Sequence, residues 1–245
     1  MMGDYRAVRY LVIDTETTGI DHEQDRIVEV AATRLVLEPT MRIDLVFETL
    51  VNPMHPISPT ASAVHHLTAA DVQDAPVFET VWNDMLKPAL AAHDVVVAHN
   101  AGFDRGFLPE IGKPWFDTLR GARHCWPDAP AHSNQVLRYW LGLVVTAPRP
   151  HRAGDDTTVT AAVLARLLQD ALERGLPPNS TVEDLLAWVN RPIVVERMPF
   201  GKHRGVALTD IPRDYLRWAL MNMTNLDADL RYSLECALGH SERMV

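Results

Sequence analysis

Cysteine is nearly absent: the 245 residues contain two, Cys125 and Cys236. They stand far apart and outside any metal-ligand spacing, which excludes a disulfide framework and a thiolate zinc site. Both are expected as reduced thiols in or near packed regions. Long apolar runs are missing too. Val95 to Ala98 and the stretch around Leu141 to Val145 fall far short of the roughly 20 residues a membrane-spanning helix needs. The opening segment, MMGDYRAVRY, carries charge at once and has no apolar core followed by small residues, so it does not read as a signal peptide. A cytoplasmic location without membrane attachment is the expectation. Positive charge is also scarce, with 23 Lys and Arg against 32 Asp and Glu and a net charge of −9. By composition this speaks against a partner as anionic as nucleic acid. The deficit is uneven, however: residues 113–152 hold Lys113, Arg120, Arg123, Arg138, Arg149 and Arg152 against only Asp117 and Asp128. An enzyme that binds cations must itself collect carboxylates, and bound cations reverse the field these create.

What is present is a globular composition, 47% hydrophobic and 22% charged, with no low-complexity tract. The length suits one medium-sized domain plus a small appendage. VRYLVIDTETTGI reads as a buried strand ending in a turn. RIVEVAATRLVL (26–37) and MRIDLVFETLV (41–51) complete an antiparallel meander. After a Pro- and Ser/Thr-rich segment, a helix is predicted from Phe78 to Ala92, then a buried strand from Asp94 to Ala98. A helix near Gly102 to Leu108, a short strand at Trp115-Phe116, helices over Leu119–Cys125 and Ser133–Leu141, and a helix over Thr157–Leu172 follow. Strands first, then alternating helix and strand, describe an α/β domain with a mixed, five-stranded sheet flanked by helices. Residues 8–174 form that domain in this reading and 175–190 a linker with a helix. Residues 191–245 form a small C-terminal α+β module of a hairpin and two amphipathic helices.

Three short motifs carry potential chemistry. Asp14 and Glu16 stand at i and i+2 where the first strand ends, so both point to one side and can share hard cations; a lone D-x-E is more often a turn or cap. Asp104 follows the second buried strand in HNAGFD, where an acidic residue also suits a helix N-terminus. His151 and Asp156 lie in HRAGDD at the start of an apolar helix, where a helix cap beside a surface histidine is the plain alternative. Asp155 competes with Asp156 and is expected to face solvent.

Taken together, D-x-E-T-T-G at Asp14–Gly19, H-N-A-x-F-D at His99–Asp104 and H-x(4)-D at His151–Asp156 resemble the DEDDh, or DnaQ-like, exonuclease superfamily of proofreading subunits, ribonuclease T and oligoribonuclease. V-H-H-L-T at Val64–Thr68 resembles its H-G-I-T segment, with His66 where glycine is usual. The resemblance covers residues 8–172. NPMHPISPTASAVHHLTAADV, VAHNAGFDRGFLPE, HRAGDD and FGKHRG…DYLRWAL are similar to the exonuclease X branch, which acts on DNA. It implies a ribonuclease H-like fold and release of nucleoside 5′-monophosphates from DNA 3′ ends with two Mg²⁺ or Mn²⁺ ions. Asp14 would bridge both ions, Glu16 and Asp156 complete the nucleophile-side ion, Asp104 serve the leaving-group ion, and His151 act as general base. Substrate contacts would come from Thr15, Thr17, Gly19, Ile20, His66, Leu67, Asn100, Phe103 and His151. For Ile20 and Leu67 core packing is an equal alternative. Arg123, Arg138, Arg149, Arg152, Lys202, His203 and Arg204 are candidates for phosphate contacts. Three other readings stay open: an exoribonuclease acting on RNA, a nucleic-acid-binding module without activity, and a partner-recruiting protein. A homodimer is likewise open.

Overall fold

In the first strand every residue from Tyr10 to Ile13 is buried, because both faces of the sheet are covered. The alternation survives in what each side chain touches: Tyr10 and Val12 enter one core, Leu11 and Ile13 the other. The computed structural model describes residues 3–147, 149–224 and 226–239. They divide into two compact units, residues 1–189 and 190–245.

The first unit is built on a five-stranded sheet in the order β3-β2-β1-β4-β5. Strands β1 (Tyr10–Thr17), β2 (Ile27–Val36) and β3 (Arg42–Leu50) form the expected antiparallel meander. Helices α1 (Pro59–His65) and α2 (Ala69–Val72) follow. Next come α3 (Phe78–Val81), a π-turn (Trp82–Leu86) and α4 (Lys87–Ala91), which together fill the predicted 78–92 helix. Strand β4 (Val95–Ala98) then pairs parallel with β1. Helix α5 (Ala101–Phe107) leads to β5 (Trp115–Asp117), parallel to β4. Helices α6 (Thr118–Cys125), α7 (Asn134–Trp140), α8 (Ala153–Asp170) and α9 (Val182–Val189) complete the unit. Helix α8 starts four residues earlier than expected, so that His151 sits just before it and both Asp155 and Asp156 fall in its first turn. There the helix dipole favours their charge.

The expected 175–190 linker is not one. Val182, Leu185, Trp188 and Val189 of α9 are buried in the same core as Tyr10, Phe116 and Leu164. Trp188 also donates its indole N–H to the Arg174 carbonyl at 3.2 Å. Tyr5, before the expected domain start at residue 8, is buried in that core as well. The Pro-Pro turn at 177–178 suggested a boundary; apolar spacing within α9 draws the segment back onto the first unit.

The second unit has its own core, which includes Met198, Leu208, Ile211, Leu216, Leu230 and Leu234. Helices α10 (Arg213–Asn222) and α11 (Ala228–Leu238) are the two expected; in place of a hairpin there is a single Arg197–Ala207 bridge with 3₁₀ turns. Residues 240–245 of the expected module lie outside the described residues. Among the described residues no helix is long and apolar enough to cross a membrane. Cys125 is buried and Cys236 half-buried, both as free thiols.

A chain ending at Asn190 should retain a cooperative thermal transition, whereas one ending at Gly175 should not. Burial of four large apolar side chains contributes roughly 1.5–3 kcal/mol each, which sums to much of a domain's usual stability. Circular dichroism melts of the two chains check this, and equal melting would place α9 outside the core.

Candidate active site

Where β1 leaves the core, the positions that follow Tyr10 and Val12 on one face are Asp14 and Glu16. They emerge toward the N-terminus of α8. A liganding nitrogen of His151 and oxygens of Glu16 and Asp156 all lie within 4.8 Å of one another. Asp14 stands close enough to Asp104, Glu16 and Asp156 for each to disfavour its charge. The three motifs therefore converge on one end of the sheet.

Asp104 and Asp156 are each held by a backbone N–H as well as by a side chain. Asp104, buried on α5, accepts from the Thr15 backbone N–H at 2.9 Å and from its hydroxyl at 2.8 Å. Thr15 is thus buried and positions Asp104. Asp156 accepts from the His151 backbone N–H at 2.7 Å and from Gln135 of α7 at 3.2 Å. His151 itself sits in the left-handed region, φ 59°, sparsely populated for residues other than glycine. That geometry turns its N–H back to Asp156 while its side chain stays exposed. Asp155 does not face solvent freely: it pairs with Arg149 at 3.2 Å and its side chain is 14% exposed.

Burial is the largest cause of strain in the cluster. It pushes the Asp14 carboxyl well above the usual carboxylate range, with Asp104, Glu16 and Asp156 adding repulsion. Glu16 is pushed up to about 8 by burial and then by Asp156 and Glu29. Asp104 rises to about 7 through burial, against the hydrogen bonds from Thr15. Asp156 is raised by burial as well. Arg152, the cation that Glu16 feels, is committed elsewhere: it is bonded to Glu29 of β2 at 3.0 and 3.1 Å.

Glu29 is the residue that sequence reasoning missed. It lies opposite Glu16 in the β1–β2 register and is fully buried. It also accepts from the Ala153 N–H at 2.9 Å, the first turn of α8. Glu29 and Arg152 therefore clamp the His151–Asp156 segment to the sheet. A Cβ on Gly154 would come within 2.6 Å of the Glu48 carboxylate, so the end of that side chain would have to shift to admit one. The period-two pattern of β2, in which a charge stands on a buried face, was the available signal.

Beside the carboxylates lies an apolar cavity of about 360 Å³, lined by Glu16, Thr17, Gly19, Ile20, Val64 and Phe103 together with Thr60, Ala61 and His65. Ile20 is 85% exposed, so core packing does not account for it. Leu67, by contrast, is buried against Val28 and Val72 and does not line the cavity. His66 is exposed at the end of α1, also off the lining, and His65 takes the place expected of it. His65 Nδ1 accepts from the Leu67 N–H at 3.0 Å, so its Nε2 is the nitrogen that donates to the Thr17 carbonyl, at 3.2 Å. Burial lowers the pKa of this imidazole. Asn100 is exposed at φ 70° with its N–H on Asp117, and is likewise not part of the lining.

Several expected phosphate contacts are structural. Arg138 donates to the Val145 and Ala147 carbonyls at 2.8 and 2.7 Å, Arg149 pairs with Asp155 and with Glu48 at 3.6 Å, and Arg152 holds Glu29. Of the four in this unit Arg123 and Arg149 are exposed, and Arg138 and Arg152 are half-buried.

This fold and carboxylate cluster define a class. A family model described as exonuclease matches residues 11–164, and the chain belongs to that family, whose members are hydrolases of nucleic acid. Exodeoxyribonuclease 10 of Escherichia coli K12 is 35% identical over 237 residues, which cover 91% of this chain and 96% of that protein. The PolC-type DNA polymerase III of Bacillus subtilis is 36% identical over 191 residues, 74% of this chain but only 13% of that one. A solved structure of exonuclease X with 5′ overhanging duplex DNA superposes with a TM-score of 0.60 at 34% identity, covering 74% of this chain and 99% of that one. The ribonuclease H-like mixed sheet is shared with it. A second family model, named for quorum-sensing-regulated virulence factors, matches residues 189–223.

Raised carboxyl pKa values predict a pH-dependent cost in chelator. A group whose folded pKa exceeds its unfolded value loses its stabilisation as pH rises from the ordinary carboxylate range through the folded value. Asp14→Asn removes one such group and relieves its neighbours. The variant should melt close to the wild type near pH 4 and several degrees above it by pH 8. Melts in excess chelator across that range measure the difference, and a variant less stable at pH 8 would mean that repulsion does not govern the cluster.

The clamp makes a separate prediction. Removing one partner of a buried ion pair typically costs about 3–5 kcal/mol, whereas replacing both by apolar groups can be nearly neutral. Glu29→Gln should therefore destabilise strongly, and Glu29→Leu with Arg152→Met should restore much of the stability while lowering turnover. Equal activity in the stable double variant would show that the clamp does not position His151 and Asp156.

Proposed function

We propose that this protein is a metal-dependent 3′→5′ exodeoxyribonuclease that releases nucleoside 5′-monophosphates. The observation that carries the reading is the convergence of four carboxylates, two buried and two half-buried, and His151 beside an apolar cavity. The donor set suits divalent cations: Asp14, Glu16, Asp104 and Asp156 offer only oxygen, as Mg²⁺ and Mn²⁺ prefer. Burial and mutual repulsion disfavour the charged form of these carboxyls, which bound cations would relieve. Two bound cations would activate the attacking water and offset charge on the leaving 3′ oxygen.

The chain's own residues do the rest. His151 accepts the proton of the attacking water, from a loop whose backbone N–H fixes Asp156 at the same time. Asp104 is oriented by Thr15, and Asp14 and Glu16 by the strand itself. Ile20, Val64 and Phe103 take the faces of the terminal nucleoside, an apolar contact open to any base. DNA is the proposed substrate because the relative aligned over almost its whole length is named an exodeoxyribonuclease.

The test is digestion of matched 5′- and 3′-labelled DNA and RNA strands, single and duplex. With Mg²⁺ or Mn²⁺, mononucleotides should appear from DNA 3′ ends, and excess chelator should stop their release. Undiminished release in chelator, or degradation confined to RNA, would overturn the respective part of the proposal. His151→Ala should lower turnover about 10²–10⁴-fold, the usual contribution of a positioned base, with DNA affinity little changed. A large loss of affinity at near-normal kcat would instead make His151 a phosphate contact.

A further inference from the structure

The second unit carries an aromatic and cationic surface that no step above uses. Its centre is the segment Phe200–Gly205, FGKHRG, folded back on the start of α10. Gly201 and Gly205 hold positive φ, 71° and 80°, which lets the chain reverse twice in five residues. Backbone bonds fix the result: Gly205 N–H to the Met198 carbonyl at 2.8 Å, Met198 N–H to Val206 at 3.0 Å and Arg204 N–H to Gly201 at 3.1 Å. The Arg197 guanidinium closes the turn on the Gly205 carbonyl at 2.9 Å.

This rigid turn presents its side chains against aromatic rings. Lys202 Nζ lies 4.8 Å over the Tyr215 ring, and the His203 ring meets Tyr215 edge-on at 4.4 Å. Trp218, one helical turn on, continues the row at 5.6 Å from Tyr215, with planes 32° apart. It is 49% exposed and belongs to no hydrophobic cluster of the unit. Among the described residues, Lys202 and Arg204 have no ion-pair partner, whereas the neighbouring Asp214 is held by Arg217 at 2.9 Å. Charge points the same way: residues 191–245 hold eight Lys and Arg against seven acids, while residues 1–190 hold 15 against 25.

We propose that this surface binds single-stranded nucleic acid, stacking a base on Trp218 while Lys202 and Arg204 contact the phosphates. An exposed aromatic ring beside unpaired cations, as at Trp218, is how proteins grip single strands without reading sequence. A protein partner would be met by apolar area instead, yet Lys202 and Arg204 stand beside the rings with no ion pair among the described residues. The surface would hold the strand whose end the first unit processes, so the inference rests on the proposed nuclease activity for its purpose but not for its test.

The test uses the full chain carrying Asp14→Asn, in chelator, so that the strand survives. Affinity for fluorescein-labelled oligothymidylate, longer than the roughly 4–16 nucleotides one such surface spans, is read by anisotropy across a salt series. Trp218→Ala should weaken binding about tenfold, as loss of one stacked base does, and Trp218→Phe should recover most of it. Lys202→Gln with Arg204→Gln, both exposed and away from the core, should lower the slope of log affinity against log salt by about 1.4, or 0.7 per lost single-strand phosphate contact. In the otherwise wild-type chain with Mg²⁺, the same variants should hydrolyse the p-nitrophenyl ester of thymidine 5′-phosphate at the normal rate, since that substrate has no strand to hold. Unchanged affinity and salt slope in both Trp218→Ala and the double Gln variant overturn the proposal, and assign the face to a protein contact. Failure of the wild type to hydrolyse the ester would count against the nuclease reading alone.

Discussion

Like charge confined to a small volume of low polarity is the constraint on which this molecule is organised. Asp14, Glu16, Asp104 and Asp156 are brought to one end of a sheet that is packed on both faces by apolar cores. Burial raises the free energy of each anion and proximity raises it further. Such an arrangement persists only because the surrounding fold is over-determined. Strand β1 is paired on both sides, by β2 and by β4, so the positions of Asp14 and Glu16 follow from a ladder that continues deep into the core. The helix that brings Asp156 is buried along most of its length.

The supports share a design. Asp104 is held by Thr15, the residue between the two strand carboxylates, and Asp156 by the backbone of His151. The first motif thereby fixes the second, the third holds its own aspartate, and Glu29 with Arg152 ties the third to the sheet. A backbone N–H cannot move without moving the strand or helix it belongs to, which makes it a stiffer support than a flexible side chain. His151 accepts a left-handed backbone conformation to provide its N–H, a local strain of the kind that concentrates at functional positions.

Much of the fold was legible because its signals are local. Buried apolar runs at 10–13 and 95–98, turn residues between them and helical spacing over 157–168 each depend on neighbours in sequence. The 175–190 segment was misread for the same reason: two prolines announce a turn, but only contacts with Tyr10 and Phe116 show that α9 returns to the core. Around the candidate site the motif residues came from sequence and their supports did not. Glu29 stands over 120 residues from Arg152, and nothing in either segment marks the other. Arg138 and Arg152 looked like phosphate ligands because sequence counts charges without showing which are already paired.

Sequence by itself determined the strand and helix pattern, the family resemblance and the identity of the acidic and basic groups, since each rests on residue type and short spacing. Tertiary structure alone decided that Leu67 packs while Ile20 stays open to the cavity, that His65 rather than His66 lines it, and that Asp155 pairs with Arg149. The physical reason is one of range. Residue type sets what a side chain can do, but burial and pairing set what it does, and both are made by segments that meet only when the chain has folded.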